Sequence, residues 1–313
     1  MRQSDTQAGS LPTVDTIDAA DYSAANLAAH FSVNYRSRNR PLRVRHAASD
    51  WPAIKLWTLE YLAETCKGAP TAAMLFGSGM PRMLYLPTAE AIARIRGGEK
   101  IYISQSSIIE EPHASRPGST VDLPMLAKDC GELSLLAGKR GKSLQAFIGI
   151  DTYASMHFHP GKPHIRECIE SIKIQLVGKK KAILFSPNTN LKPALLSAFN
   201  FSKISFEDWL SDSKGMLARL TLARNFAAYE CSLEPGDILF IPAYWWHSFY
   251  GEGLSMSATY FWFDAEPEGC PALVGSVNYR TTRTATRIRP ALMWMQRMRH
   301  RLRSLRKAAP HPV

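Results

Sequence analysis

Between Leu144 and Phe263 the chain reads as a succession of short strands, and this periodicity constrains the fold more than any other feature. LQAFIGID, ASMHFH, SIKIQLVG and KKAILFSP follow one another closely, and AAYECSLEPGDILFIPAYWWHSFYG and LSMSATYFWF come later. In SIKIQLVG, Ile172, Ile174 and Leu176 alternate with Lys173 and Gln175, the period of two expected of a half-buried strand. A turn is expected at Glu234-Pro235-Gly236. Short strands separated by Gly and Pro turns predict a sandwich or barrel, so the fold class is mainly β with flanking helices.

The flanks divide the 313 residues into four parts. Residues 1–20 are polar and small and are expected to be a flexible N-terminus. Residues 21–140 read as a helix and strand region packing on the barrel. In it AANLAAHF is helical, PLRVRHA is a strand, and SDWPAIKLWTLEYLAETC carries a cap and helical spacing of Trp57, Tyr61 and Leu62. The strands PRMLYL and KIYISQS flank a short helix, AEAIARIRG, and residues 111–140 read as a long surface connection. Residues 141–266 form the core, with a helical insertion expected at about 191–225. Residues 267–313 form a basic helical tail.

The candidate chemistry sits in ASMHFHPGKPHIREC. Residues i and i+2 of a strand share a face, so His157 and His159 present two imidazoles side by side, with Phe158 turned away. A third ligand must come from a distant strand, and His247, at the end of the apolar run GDILFIPAYWWH, is suited to it. Three imidazoles converging in an apolar mouth would hold a divalent first-row metal with open positions. An isolated strand histidine is otherwise a hydrogen-bonded structural residue; the His-x-His pair with His247 points to a metal. His164 lies in a Pro/Gly loop, and Glu167 and Glu170 are further ligand candidates.

GDILFIPAYWWH, with GKKKAILFSP upstream and NRPLRVRHAASDWPAIKLWTLEYL before it, resembles the cupin-like branch of the JmjC-domain oxygenases. This is the branch of the factor-inhibiting-HIF-like and tRNA wybutosine hydroxylase-like enzymes. The resemblance covers about residues 20–265. It implies a double-stranded β-helix (a cupin or jelly-roll core) that binds Fe(II) and 2-oxoglutarate and hydroxylates a C–H bond. His157 and His247 match the family's first and distal metal histidines, and His159 stands where the family has Asp or Glu. Lys180 matches the lysine that pairs with the far carboxylate of 2-oxoglutarate, and Lys179 and Lys181 would face solvent. Tyr102 matches a tyrosine contacting the co-substrate, and Thr259 lies near a position where relatives use Asn. Ala154 stands where relatives often have Thr, and the loop after His159 is longer than usual.

Composition separates the tail from the fold. Of the net charge of +11, nine arginines and one lysine from Arg280 onward supply ten, and no acid follows Glu268. RPALMWMQRMRHRLRSLRKAAP is expected to form a helix with Leu292, Met295, Met298, Leu302 and Leu305 on one face. That helix would pack on the barrel or on a second subunit, giving a homodimer, or meet an anionic partner such as RNA. No apolar run is long enough to span a membrane, and the start of the chain lacks a secretory h-region. Five scattered cysteines fit reduced thiols in a cytoplasmic protein. The primary substrate, whether protein, RNA or small molecule, is not specified. Two other readings stay open: a three-His metalloenzyme acting without 2-oxoglutarate, and a non-catalytic binding protein that uses its tail.

Overall fold

The computed structural model describes residues 11–75, 82–111, 122–163, 166–191, 193–195, 198–202, 204, 208–209, 211–213, 215, 227–265, 273 and 276–286. The arginine-rich helix expected from Pro290, and His164, lie outside them. The elements in chain order are β1 (Thr16–Asp18), α1 (Ala24–Phe31), β2 (Leu42–Arg45), α2 (Ala53–Leu56) and α3 (Leu59–Thr65). There follow β3 (Pro70–Leu75), β4 (Arg82–Pro87), α4 (Thr88–Arg96), β5 (Ile101–Glu110) and β6 (Ser143–Ile150). The chain continues with β7 (Glu167–Phe185), β8 (Pro193–Leu195), β9 (Ala198–Ser202), β10 (Ala228–Leu233), β11 (Ile238–Ile241) and β12 (Trp246–Ala265).

The fold is mainly β with flanking helices. One sheet runs in the order β1-β2-β11-β7-β12-β6-β5-β3-β4, with β10 paired to β7 off this path. Its axis is the antiparallel ladder between β7 and β12, from Trp246 opposite Phe185 to Ala265 opposite Glu167. SIKIQLVG and KKAILFSP, expected as two strands, are one, and so are the two halves of β12. The first half of β7 lies between β11 and β12, and the second between β10 and β12. A strand shared in this way by two sets of neighbours is how a double-stranded β-helix is wound. The bend falls at Gly178, whose φ of +68° and close approach to the Leu254 carbonyl leave no room for a Cβ.

Ile172, Ile174 and Leu176 bury their face of β7 against the main core, which also holds Phe31, Leu42, Trp51, Trp57, Leu62 and Trp262. At roughly 25 cal/mol per Å² of apolar surface removed from water, each such side chain stabilises the fold by about 1.5–3 kcal/mol. The opposite face is not solvated: Lys173 and Gln175 are buried as well. The alternation is therefore as expected, but its polar face turns into the barrel lumen. Lys179 and Lys181, by contrast, face outward and pair with Glu234 and Glu252.

Several expectations are corrected. The run SDWPAIKLWTLEYLAETC is two helices, broken at Trp57, whose extended backbone ends α2 and whose buried indole donates to Asp129 at 3.1 Å. Thr58 then caps α3 through the Tyr61 N–H. Residues 11–20 are not free: Leu11 and Val14 are buried, and β1 runs parallel to β2. The 111–140 connection is only partly on the surface, since Leu123, Leu126, Leu135 and Leu136 are buried against the core. Within the expected helical insertion, β8 and β9 form a hairpin. No helix among the described residues is long and apolar enough to cross a membrane.

Candidate metal centre

ASMHFH is not a regular strand but an extended segment wedged between β12 and β9. Asp151 with φ of +46° precedes it and Pro160 ends it. On one side the His157 N–H donates to the His247 carbonyl at 3.0 Å, and the His247 N–H donates back at 2.8 Å. On the other, the Phe158 N–H donates to Asn200 and the Ser202 N–H to Met156. Phe158 turns away into a separate core with Tyr244 and Trp246, leaving His157 and His159 on the lumen side.

The three histidines converge as their spacing predicts. One donor atom from each of His157, His159 and His247 lies within 4.8 Å of the others. Ring centroids are 4.4 Å apart for His157 and His247, 4.7 Å for His159 and His247, and 5.3 Å for His157 and His159. Nδ1 of His157 lies 2.7 Å from the Ser155 carbonyl, and Nδ1 of His247 lies 3.0 Å from the Trp245 carbonyl. A carbonyl only accepts, so Nδ1 is the protonated nitrogen in each ring and Nε2 keeps its lone pair for a ligand. Burial holds His157 down to about 4 and His159 and His247 well below the ordinary imidazole value; proximity to the other rings adds to the effect for His159 and His247. All three are therefore neutral near pH 7, the state a metal requires.

No carboxylate joins the cluster among the described residues. Glu170 is fully buried but points away, taking a hydrogen bond from Arg36 Nε at 2.8 Å. Glu167 pairs with Lys162 at 3.4 Å, outside the cluster.

The other sequence candidates lie around the same lumen. Lys180 is buried and donates to Ser257 Oγ at 2.9 Å, with its Nζ 5.7 Å from the Tyr102 ring centroid. Burial pushes its ammonium down to about 7 and pushes the Tyr102 hydroxyl up. Tyr102, Ala154 and Thr259 line the pocket that holds the three histidines. The buried hydroxyls of Ser171 and Thr259 have no hydrogen-bond partner among the described residues, so the pocket offers unused donors to a polar ligand. Phe261 and Phe249 pack on His159 and His247, and Phe201 stacks on His157 at 5.4 Å, 39% exposed at the rim.

Sequence reasoning missed Lys173, which lines the pocket with the histidines. It lies seven residues before Lys180, an odd separation that regular alternation would put on opposite faces. The positive φ of Gly178 falls between them and breaks the alternation, so Lys180 also turns inward, toward Tyr102 and Ser257. The available signal was a Gly between two polar positions of a continuous strand.

Residues 87–269, more than half of the chain, match the family described as Cupin-like domain. The chain belongs to the cupin-like family. Among its relatives it is 25% identical over 233 residues to tRNA wybutosine-synthesizing protein 5 of Homo sapiens, covering 67% of each chain. It is 23% identical to Lysine-specific demethylase 8 of Xenopus tropicalis, over 74% of this chain and 50% of that one. It is 22% identical to Bifunctional arginine demethylase and lysyl-hydroxylase psr-1 of Caenorhabditis briggsae, over 82% and 64%. The chain thus spans about two thirds, or less, of the length of these relatives. The chain therefore carries a cupin-like domain of the JmjC type.

Proposed function

We propose that the protein is an Fe(II)- and 2-oxoglutarate-dependent oxygenase that hydroxylates a C–H bond. The observation that supports this reading best is a tripod of neutral imidazoles with a buried lysine, Lys180, behind Tyr102 of the same pocket. In this reading His157, His159 and His247 hold the iron, the first and last through Nε2. The bound iron supplies redox activation of dioxygen. Lys180 pairs with the far carboxylate of 2-oxoglutarate by a charge-assisted hydrogen bond. Tyr102 walls that end of the pocket, and the free Thr259 hydroxyl donates to the co-substrate. Phe249 and Phe261 keep water from the tripod, and Phe201 at the rim faces the primary substrate. The relatives' names span tRNA, lysine and arginine, so both RNA and protein enter the substrate screen beside small molecules.

The test is an anaerobic titration of the Fe(II)-loaded protein with 2-oxoglutarate, recorded in the visible range. A weak charge-transfer band that saturates, and is lost in His247→Ala, is the expected result. Iron binding with no band would count against the co-substrate.

The all-histidine tripod favours a second reading, a three-His metalloenzyme that works without 2-oxoglutarate. That reading expects metal-dependent turnover that ignores 2-oxoglutarate and persists in Lys180→Ala.

A further inference from the structure

Lys173 is a buried lysine with no anion beside it, and burial, with Lys180 nearby, pushes its ammonium well below the ordinary lysine value. Its side chain is 4% exposed, and its Nζ lies 3.8 Å from the Phe147 ring centroid and 4.9 Å from that of Phe249. Among the described residues it has no hydrogen bond and no ion pair. Two ring faces offset only part of the burial penalty of an ammonium. Lys180, the second buried lysine, is met by the neutral hydroxyl of Ser257, and no carboxylate lines the pocket. A divalent ion on three neutral histidines adds positive charge and brings no negative charge with it. The pocket is therefore built for more anionic charge than its own side chains supply.

We propose that Lys173 receives a carboxylate bound at the metal end of the pocket, separate from the one that Lys180 receives. The proposal rests on reading the three histidines as a metal site. Its geometry is set by the sheet: Thr259 stands directly opposite Lys173 in the ladder between β12 and β7, and Ser171 precedes Lys173 by two residues on the same face. The Ser171 and Thr259 hydroxyls have no partner among the described residues. One ammonium and two hydroxyls thus converge as donors for the oxygens of one carboxylate. The ligand class is a short acid whose carboxylate adjoins a second metal-chelating oxygen: oxalate, or a 2-oxo acid. A second carboxylate at the far end reaches Lys180.

The test is calorimetric titration of the Co(II)-loaded protein with oxalate and with 2-oxoglutarate, in the parent, Lys173→Met and Lys180→Met. Lys173→Met is expected to weaken both ligands by about tenfold or more, the scale of a hydrogen bond to a charged group. Lys180→Met is expected to weaken 2-oxoglutarate only, because oxalate has no far carboxylate. Thermal melting of empty Lys173→Met, expected no lower than the parent, separates lost binding from lost folding. Oxalate affinity unchanged in Lys173→Met overturns the proposal, and 2-oxoglutarate binding in that variant leaves the co-substrate reading intact. Oxalate binding that depends on Lys173, with no 2-oxoglutarate binding by the parent, upholds the proposal and overturns the co-substrate reading. A parent that takes up Co(II) but not oxalate overturns the proposal, and a parent that does not take up Co(II) overturns the metal reading with it.

Discussion

His157 and His247 face each other across a reciprocal pair of backbone hydrogen bonds, 3.0 and 2.8 Å long, so the ladder that builds the barrel also sets the separation of two imidazoles. Each ring is further oriented through Nδ1 by the carbonyl two residues before it. Such a site is organised before a metal arrives, and the energetic consequence falls on the empty protein. Burial holds His157 at about 4, against an ordinary 6.5. Between those values the unfolded chain takes up a proton that the folded chain refuses. Stability is therefore full above pH 6.5 and falls as pH drops toward 4. Urea midpoints of the metal-free protein from pH 7 to pH 4 should trace this loss, and His157→Leu should flatten part of it.

Lys180 gives a pH dependence of the opposite sense. Its ammonium is held down to about 7 in the empty pocket, and only the charged form pairs with a carboxylate. Affinity for 2-oxoglutarate should be full below pH 7 and fall as pH rises above it, by up to about tenfold per unit. Lys180→Arg keeps its charge throughout, so its affinity should be nearly flat over the same range even where its absolute value is lower. Binding curves for both proteins at several pH values decide the matter.

Much of this architecture was legible in the sequence, and what was not has physical causes. The strands from Leu144 onward and the meeting of His157, His159 with His247 follow from a period of two and one apolar run. The destination of the polar face of β7 does not: Lys173 and Gln175 carry the same local pattern whether they meet water or a lumen. The β8–β9 hairpin was hidden for a related reason. Its strand β9 is held by Met156 and Phe158, partners some forty residues away, and pairing of that kind outweighs local propensity. Thr259, expected from the resemblance, lies where its hydroxyl can act, whereas Glu167 and Glu170, weighed as ligands, are held by Lys162 and Arg36.

Arg36 and Glu170 form a buried ion pair at 2.8 Å, and Asp264 lies at the same distance from Arg36. Burial raises the Glu170 carboxyl, and Arg36 opposes that rise. Arg36→Leu leaves a buried acid without its cation and should cost about 3–5 kcal/mol in urea unfolding. The double variant Arg36→Leu, Glu170→Leu should recover most of that loss, because it removes both charges. Metal affinity serves as the control. Glu170→Gln should bind Co(II) as the parent does, whereas a Glu170 that served as a ligand would make this variant lose it.

His159 is where the chain departs from the carboxylate expected of its family, and His159→Asp puts that carboxylate back. The substitution adds a negative charge to a pocket whose described lining has none, beside Lys173 and the two remaining imidazoles. At an effective dielectric of about 20, one added charge a few ångströms from a divalent ion strengthens its binding by several kcal/mol before desolvation is subtracted. A net gain of about tenfold or more in Co(II) affinity is the expected outcome. The same charge satisfies the unpaired ammonium of Lys173, so the empty variant should melt higher than the parent, and the gain should shrink in Lys173→Met. Oxalate, which then competes with an internal carboxylate for the cations, should bind more weakly. Co(II) affinity unchanged in His159→Asp would place His159 outside the ligand set, reducing the tripod to His157 and His247.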